Sequence, residues 1–146
     1  MAEPYTQSLL LYAYQASARE LTKALHRNGH SVIRPKHGAV FANIDREGTR
    51  ATTLAARAGI GKAAMGELVD ELERMGYVSR KPDLSDRRAK RIVPTAAALQ
   101  VTRLVHTFNR RLEADYKRLL GADAYAMLRA SLQLIAPAGI MQPRMD

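Results

Sequence analysis

Gly61-Lys62-Ala63-Ala64-Met65-Gly66-Glu67-Leu68-Val69-Asp70-Glu71-Leu72-Glu73-Arg74-Met75-Gly76 is the stretch on which the fold turns. Met65, Leu68, Val69, Leu72 and Met75 recur at the i, i+3, i+4, i+7 spacing of a helix with one buried stripe. Lys62, Ala63, Gly66, Glu67, Asp70 and Glu73 fall on the other side, so one face packs and the other is offered. Gly76 stands just past the last apolar position, where a helix ends best on a residue that tolerates the left-handed conformation. Upstream, Leu54 to Ile60 reads as a shorter helix, and the turn through Gly59 to Gly61 joins the two as a helix-turn-helix. Downstream, Tyr77 to Lys81 and Ala89 to Val93 read as two strands around Pro82-Asp83-Leu84-Ser85-Asp86-Arg87-Arg88, a turn-rich and charged loop. The pair is a β-hairpin wing.

Working outward, Pro4 to Asn28 reads as one long helix with Tyr5, Leu9, Tyr12, Ala13, Ala16, Leu21 and Leu25 at helical spacing and Gly29 as terminator. Its apolar positions cover more than one stripe, which calls for a second subunit. His26 and His30 stand four apart, but Gly29 intervenes, so solvated or capping histidines are expected rather than a metal pair. Ile33 to Ile44 reads as a second helix entered through Pro35, with Val40, Phe41 and Ile44 turned inward, and Thr49-Arg50 as an edge of the sheet that the wing extends. Thr95 is a natural N-cap for a helix to about Leu120, and Tyr125, Leu128, Leu132 and Ile135 continue on a last helix that Pro137 ends. Gly139 to Asp146 reads as a frayed tail. The expected fold class is mainly α with a small β-hairpin wing, in one domain over 1–146: a winged helix-turn-helix at 33–95 flanked by dimerisation helices at 4–30 and 96–136.

The chain of 146 residues carries a formal charge of +9 with 47% hydrophobic content, ordinary for a folded protein and suited to a polyanionic partner. Between Arg80 and Arg91 stand Arg80, Lys81, Arg87, Arg88, Lys90 and Arg91 against only Asp83 and Asp86. Such a run in isolation is usually a solvated loop, but here it adjoins a helix-turn-helix. The chain has no cysteine, so thiolate metal sites, disulfides and thiol-based oxidant sensing are excluded. Leu9 to Tyr14 is too short to span a bilayer and the N-terminus lacks a basic leader, so a cytoplasmic protein with no membrane partner is expected. Gly59-Ile60-Gly61-Lys62 lacks the earlier glycine and the following Ser or Thr of a phosphate loop, and no catalytic constellation appears. An enzyme is not expected, and no cofactor or metal is assigned.

The order helix, turn, helix, strand, basic loop, strand, then Pro94-Thr95 opening a helix, resembles the MarR family of winged helix-turn-helix transcriptional regulators. The specific pieces are Leu54-Ala55 with Gly59-Ile60, the run from Leu68 to Arg80, and Asp86-Arg87-Arg88-Ala89-Lys90. The resemblance implies a homodimeric, sequence-specific regulator, a ligand-responsive repressor on an inverted-repeat operator of double-stranded DNA. The DNA-binding residues are then Arg50, Lys62, Ala63, Gly66, Glu67, Arg80, Asp86, Arg87, Arg88 and Lys90, with the minor-groove arginine being Arg88, its guanidinium held by Asp86, or as second choice Arg87. It also implies a small aromatic ligand near Tyr12, His37, Phe41 and Phe108, for which the plainer alternative is a core or interface role. The small residues at Ala63, Ala64 and Gly66 leave open a non-specific architectural DNA binder.

Overall fold

The computed structural model describes residues 3–136, so the expectations at Pro137 and at the tail from Gly139 lie outside the described residues. Helix α1 (Thr6–Arg27) is followed by a 3-10 turn (Pro35–His37), a single turn of helix α2 (Gly38–Phe41) and strand β1 (Thr49–Arg50). Then come α3 (Ala51–Ala58), α4 (Lys62–Arg74), β2 (Val78–Pro82), β3 (Lys90–Pro94), α5 (Ala96–Leu120) and α6 (Ala122–Ile135). None of these helices is long and apolar enough to cross a membrane.

Helix α4 begins and ends where its sequence predicts. Met65, Val69 and Leu72 are fully buried, and Leu68 and Met75 flank them half-buried. The stop is local chemistry: Gly76 adopts φ +80°, its N–H donates to the Glu73 carbonyl, and the Tyr77 N–H donates to the Leu72 carbonyl. This is a Schellman closure. Gly59 ends α3 in the same way at φ +66°, with the Ile60 N–H on the Ala55 carbonyl, and so fixes the turn between the two helices. At the entry to α5, the Thr95 hydroxyl accepts from the Ala98 N–H and donates back to the Gly76 carbonyl, tying the N-cap to the end of α4.

The three strands form one antiparallel sheet in the order β1-β3-β2. Thr49 pairs with Ile92 on one side of β3, and Val78 pairs with Pro94 through Pro82 with Lys90 on the other. Both strands of the hairpin start one residue later than their sequence suggests, because the Tyr77 amide is consumed in closing α4 rather than in the ladder.

Two expectations are corrected. The helix predicted over Ile33 to Ile44 is a 3-10 turn plus one turn of α-helix. Arg34 precedes a proline and is held extended at φ −116°, ψ 159°, and its backbone N–H donates to the His37 ring instead of entering a helix. Val40, Phe41 and Ile44 are nonetheless buried. The other correction is His30, which is buried rather than solvated. The chain reverses after α1, and His30 Nδ1 shares a 2.8 Å hydrogen bond with Tyr77 Oη, while Tyr77 meets Phe41 edge-on at 6.1 Å. Tyr77 thereby ties the end of α1, α2 and the end of α4 into one core. His26 is exposed.

Candidate nucleic-acid interface

The exposed face of α4 and the wing tip carry the charged groups that a polyanion would meet. Lys62, Ala63 and Glu67 stand exposed on the first turns of α4 with Gly66 half-buried beside them. Four carboxylates line this helix, and three are already engaged. Asp70 and Glu73 both bind the guanidinium of Arg80 from β2, and Glu71 binds Lys36 and His37. Of these four carboxylates, Glu67 alone has no hydrogen-bond or ion-pair partner among the described residues. A helix that would otherwise repel phosphate is thus neutralised from its flanks, with one carboxylate left over.

The wing tip is organised by Asp83, which in the sequence is one charge among several in the loop. Asp83 is buried; one of its carboxylate oxygens accepts from Arg50 Nε at 2.7 Å and the other from the Ser85 N–H and hydroxyl at 2.9 and 2.7 Å. Those hydrogen bonds, the Arg50 one first, hold its carboxyl well below the usual carboxylate range. The Asp-x-Ser spacing of an Asx-type turn was its sequence signal. Asp86, expected to hold the Arg88 guanidinium, instead accepts from the Arg88 backbone N–H at 3.0 Å; its short side chain closes the turn around it and does not reach the end of a long arginine. The guanidiniums of Arg87 and Arg88 and the ammonium of Lys90 are exposed, with no ion-pair partner among the described residues.

The ten residues expected at DNA therefore divide. Lys62, Ala63, Gly66 and Glu67 share the N-terminal half of α4, and Arg87, Arg88 and Lys90 share the wing with Asp86 as a backbone anchor. Arg50 and Arg80 are engaged by Asp83 and by the α4 carboxylates, although the Arg50 side chain keeps 41% of its surface exposed. Arg91, counted in the basic run, donates to the Gly48 carbonyl at 2.6 Å and braces β1 against β3.

A partly open cavity of about 380 Å³ lies between α1, the 3-10 turn, α2 and α5. Phe41 and Phe108 line it, with Leu21, Leu25, Val105 and Leu112. Tyr12 and His37 are not on its lining: Tyr12 is exposed near the start of α1, and the buried His37 ring turns to Glu71. Arg34 is the one charged residue on the lining among the described residues. No cluster of three or more His, Cys, Asp or Glu able to hold a metal occurs among the described residues.

Glu71 is the most perturbed carboxyl of the reading helix. The hydrogen bond from Lys36, then that from His37, lowers it from an ordinary 4.5 to about 2. A folded value below the unfolded one stabilises the fold fully above pH 4.5, and this contribution is lost as pH falls from 4.5 to about 2. The thermal midpoint of Glu71→Gln is accordingly expected to lie below that of the parent at neutral pH, with the gap closing as the buffer approaches pH 2. A pH-independent gap would show that the charge of Glu71 contributes nothing.

Comparison with known proteins places this geometry. The family model described as MarR family matches residues 44–90, which run from the end of the α2 segment to the first residue of β3. The reduced form of MarR from E. coli superposes with a TM-score of 0.72 at 19% identity, covering 94% of this chain and 100% of that one. YusO from Bacillus subtilis gives 0.65 at 20% identity over 89% and 93% of the two chains. CouR from Rhodococcus jostii RHA1, in a structure with p-coumaroyl-CoA bound, gives 0.63 at 27% identity over 92% and 93%. Among curated protein sequences none matches at a significant level. With the helix-turn-helix, the wing and the flanking long helices in the same order, residues 44–90 match the MarR family model and the chain has the winged helix-turn-helix fold of the MarR structures.

Proposed function

We propose that the protein is a sequence-specific DNA-binding transcriptional regulator, a homodimeric and ligand-responsive repressor acting in the cytoplasm. Residues 1–146 form one MarR-like domain, with 4–30 and 96–136 joining the subunits and 33–95 reading DNA. The observation that carries this reading is the juxtaposition of unpaired cations at the wing tip, Arg87, Arg88 and Lys90, with an α4 face whose acidic charge is otherwise neutralised. Helix α4 enters the major groove and the wing crosses the adjacent minor groove. Cations on phosphate supply salt-dependent affinity, while side chains at base edges and groove width supply the choice of site. No enzymatic reaction is assigned.

Selection of preferred sites from random duplex tests this. The selected site is expected to be an inverted repeat, with half-site centres about one helical turn, roughly 10 base pairs, apart. Its affinity should exceed that for random duplex by at least about 10³-fold. Equal affinity for both would favour the architectural alternative that Ala63, Ala64 and Gly66 keep open.

Glu67 is the residue proposed to contribute choice rather than affinity. Its unpaired carboxylate can accept from a cytosine amino group and repels phosphate. Glu67→Ala is expected to bind random duplex as well or better, and to lose about 1–3 kcal/mol of discrimination at one base pair per half-site. An unchanged selected site would remove Glu67 from the reading surface.

For the inducer, the cavity offers apolar walls, two phenyl rings and a single cation at Arg34. This suits a small aromatic or aliphatic acid, its apolar body buried and its carboxylate at Arg34. The similar CouR carries p-coumaroyl-CoA, which favours an aromatic ligand.

A further inference from the structure

The short segment between α1 and α2 faces two ways. Arg34, Pro35 and Gly38 lie on the cavity, while the two residues between Pro35 and Gly38, Lys36 and His37, both close on Glu71 in the C-terminal half of α4. Lys36 Nζ stands 2.7 and 2.8 Å from its two oxygens, and His37 Nε2 stands 2.9 Å from Oε2. We propose that this segment is a relay through which the cavity's occupant sets the position of the recognition helix, with His37, Lys36 and Glu71 as its positioning residues. The proposal rests on the reading of the cavity as a ligand site.

The hydrogen bonds give the relay its direction. His37 is 1% exposed, and both its ring nitrogens are used. Nδ1 accepts from the Arg34 backbone N–H at 2.9 Å, so in the neutral ring the proton sits on Nε2, which donates to Glu71. The Arg34 backbone, the imidazole and the Glu71 carboxylate therefore form one unbroken chain from the cavity wall to α4. A ligand that draws on the Arg34 side chain or wedges against Pro35 has to carry the ring along or break a buried hydrogen bond, and breaking it leaves an unsatisfied group without water. Glu71 lies one helical turn after Glu67 on α4, so displacement there moves the residues at the proposed base edges. Phe41 against Tyr77 reaches α4 only beyond its end, and the direct packing of α2 on α4 is apolar and carries no hydrogen bond between them among the described residues.

The test follows backbone amides by ¹⁵N NMR, using the apolar monoanion 1-anilinonaphthalene-8-sulfonate as the probe occupant. In the parent, saturation is expected to shift the amides of Arg34 to Gly38 together with those of Met65 to Arg74. In Glu71→Ala the first set should still shift and the second should fall to the noise. Glu71→Gln, which still offers an acceptor to His37 Nε2–H, should restore most of the α4 response. A merely structural role for Glu71 would leave propagation intact in every variant that folds. If the probe leaves Arg34 to Gly38 unmoved in the parent, the ligand reading of the cavity fails, and the relay is then decided by a built-in occupant. Ala18→Phe fills the cavity from α1 without touching α4, and its effect on α4 amides should vanish when combined with Glu71→Ala. Shifts in α4 that survive Glu71→Ala under either occupant would overturn the relay.

Discussion

Replacing Arg87 and Arg88 together by alanine is expected to abolish tight operator binding while leaving fold and subunit assembly unchanged. Neither guanidinium contributes to the structure: both are exposed and unpaired among the described residues. The turn that carries them is closed by other groups, with the Ala89 N–H on the Asp86 carbonyl, the Arg88 N–H on the Asp86 carboxylate and Ser85 on Asp83. A hydrogen bond to a charged group contributes about 1.5–3 kcal/mol, and a two-fold complex loses it once per wing. An arginine set in a narrow A·T-rich minor groove also reads width through the concentrated negative potential there, so Arg88→Lys should recover phosphate affinity without full site preference. Lys90→Ala should act as a simple phosphate loss, lowering the salt slope by about 1 per contact. Electrophoretic mobility or anisotropy titrations over a salt series would check this; operator affinity within about twofold of the parent for the double variant, where lost ion contacts should show, would remove the wing from the interface. Asp83→Ala should reproduce part of the loss by a different route, since it releases Arg50 and the Ser85 turn together.

The second large effect concerns assembly. Helix α6 has no buried residue in the single chain, yet Met127, Leu128, Leu132, Leu134 and Ile135 all project from it, with Leu134 86% exposed. Tyr5 at the N-cap of α1 and Leu9, Leu10, Leu11 and Tyr12 on its first turns do the same. The two surfaces adjoin, since Leu10 shares a groove with Leu132 and Ile135. An apolar surface on this scale marks an interface, and a two-fold partner would cover α1 and α6 at once. Light scattering is expected to give twice the chain mass at micromolar concentration. Leu132→Glu should give a monomer, because a carboxylate buried in an apolar interface is costly. Operator affinity should then fall by about 10²–10⁴-fold, as the second half-site is no longer engaged intramolecularly. A monomeric parent, or a Leu132→Glu dimer with full affinity, would refute the arrangement.

The residues around α4 show what local sequence can specify. Its stripe of Met65, Val69 and Leu72, its stop at Gly76 and the cap at Thr95 act within one or two helical turns, and their chemistry is legible without the rest of the chain. The same holds for the hairpin, whose strands lie within one residue of their predicted places. The helix expected over Ile33 to Ile44 failed where two local signals disagreed: its apolar spacing favoured a helix, while the proline after Arg34 and the His37 side chain held the entry extended.

What the sequence determined by itself was the element order, the reading helix with its buried stripe, and the excess positive charge on the wing, all set by spacing and composition. Only the tertiary structure decided which charges were free to act. His37 meets Glu71 across 34 residues, Arg50 meets Asp83 across 33 and His30 meets Tyr77 across 47. In sequence Arg50, Arg80, Arg87 and Arg88 are all equivalent cations, and Glu67, Asp70, Glu71 and Glu73 equivalent carboxylates on one helix. A charge is committed or available according to what the folded chain brings within hydrogen-bonding distance, and at these separations that distance is set by how α4, the wing and the turn before α2 pack together, which no local pattern encodes.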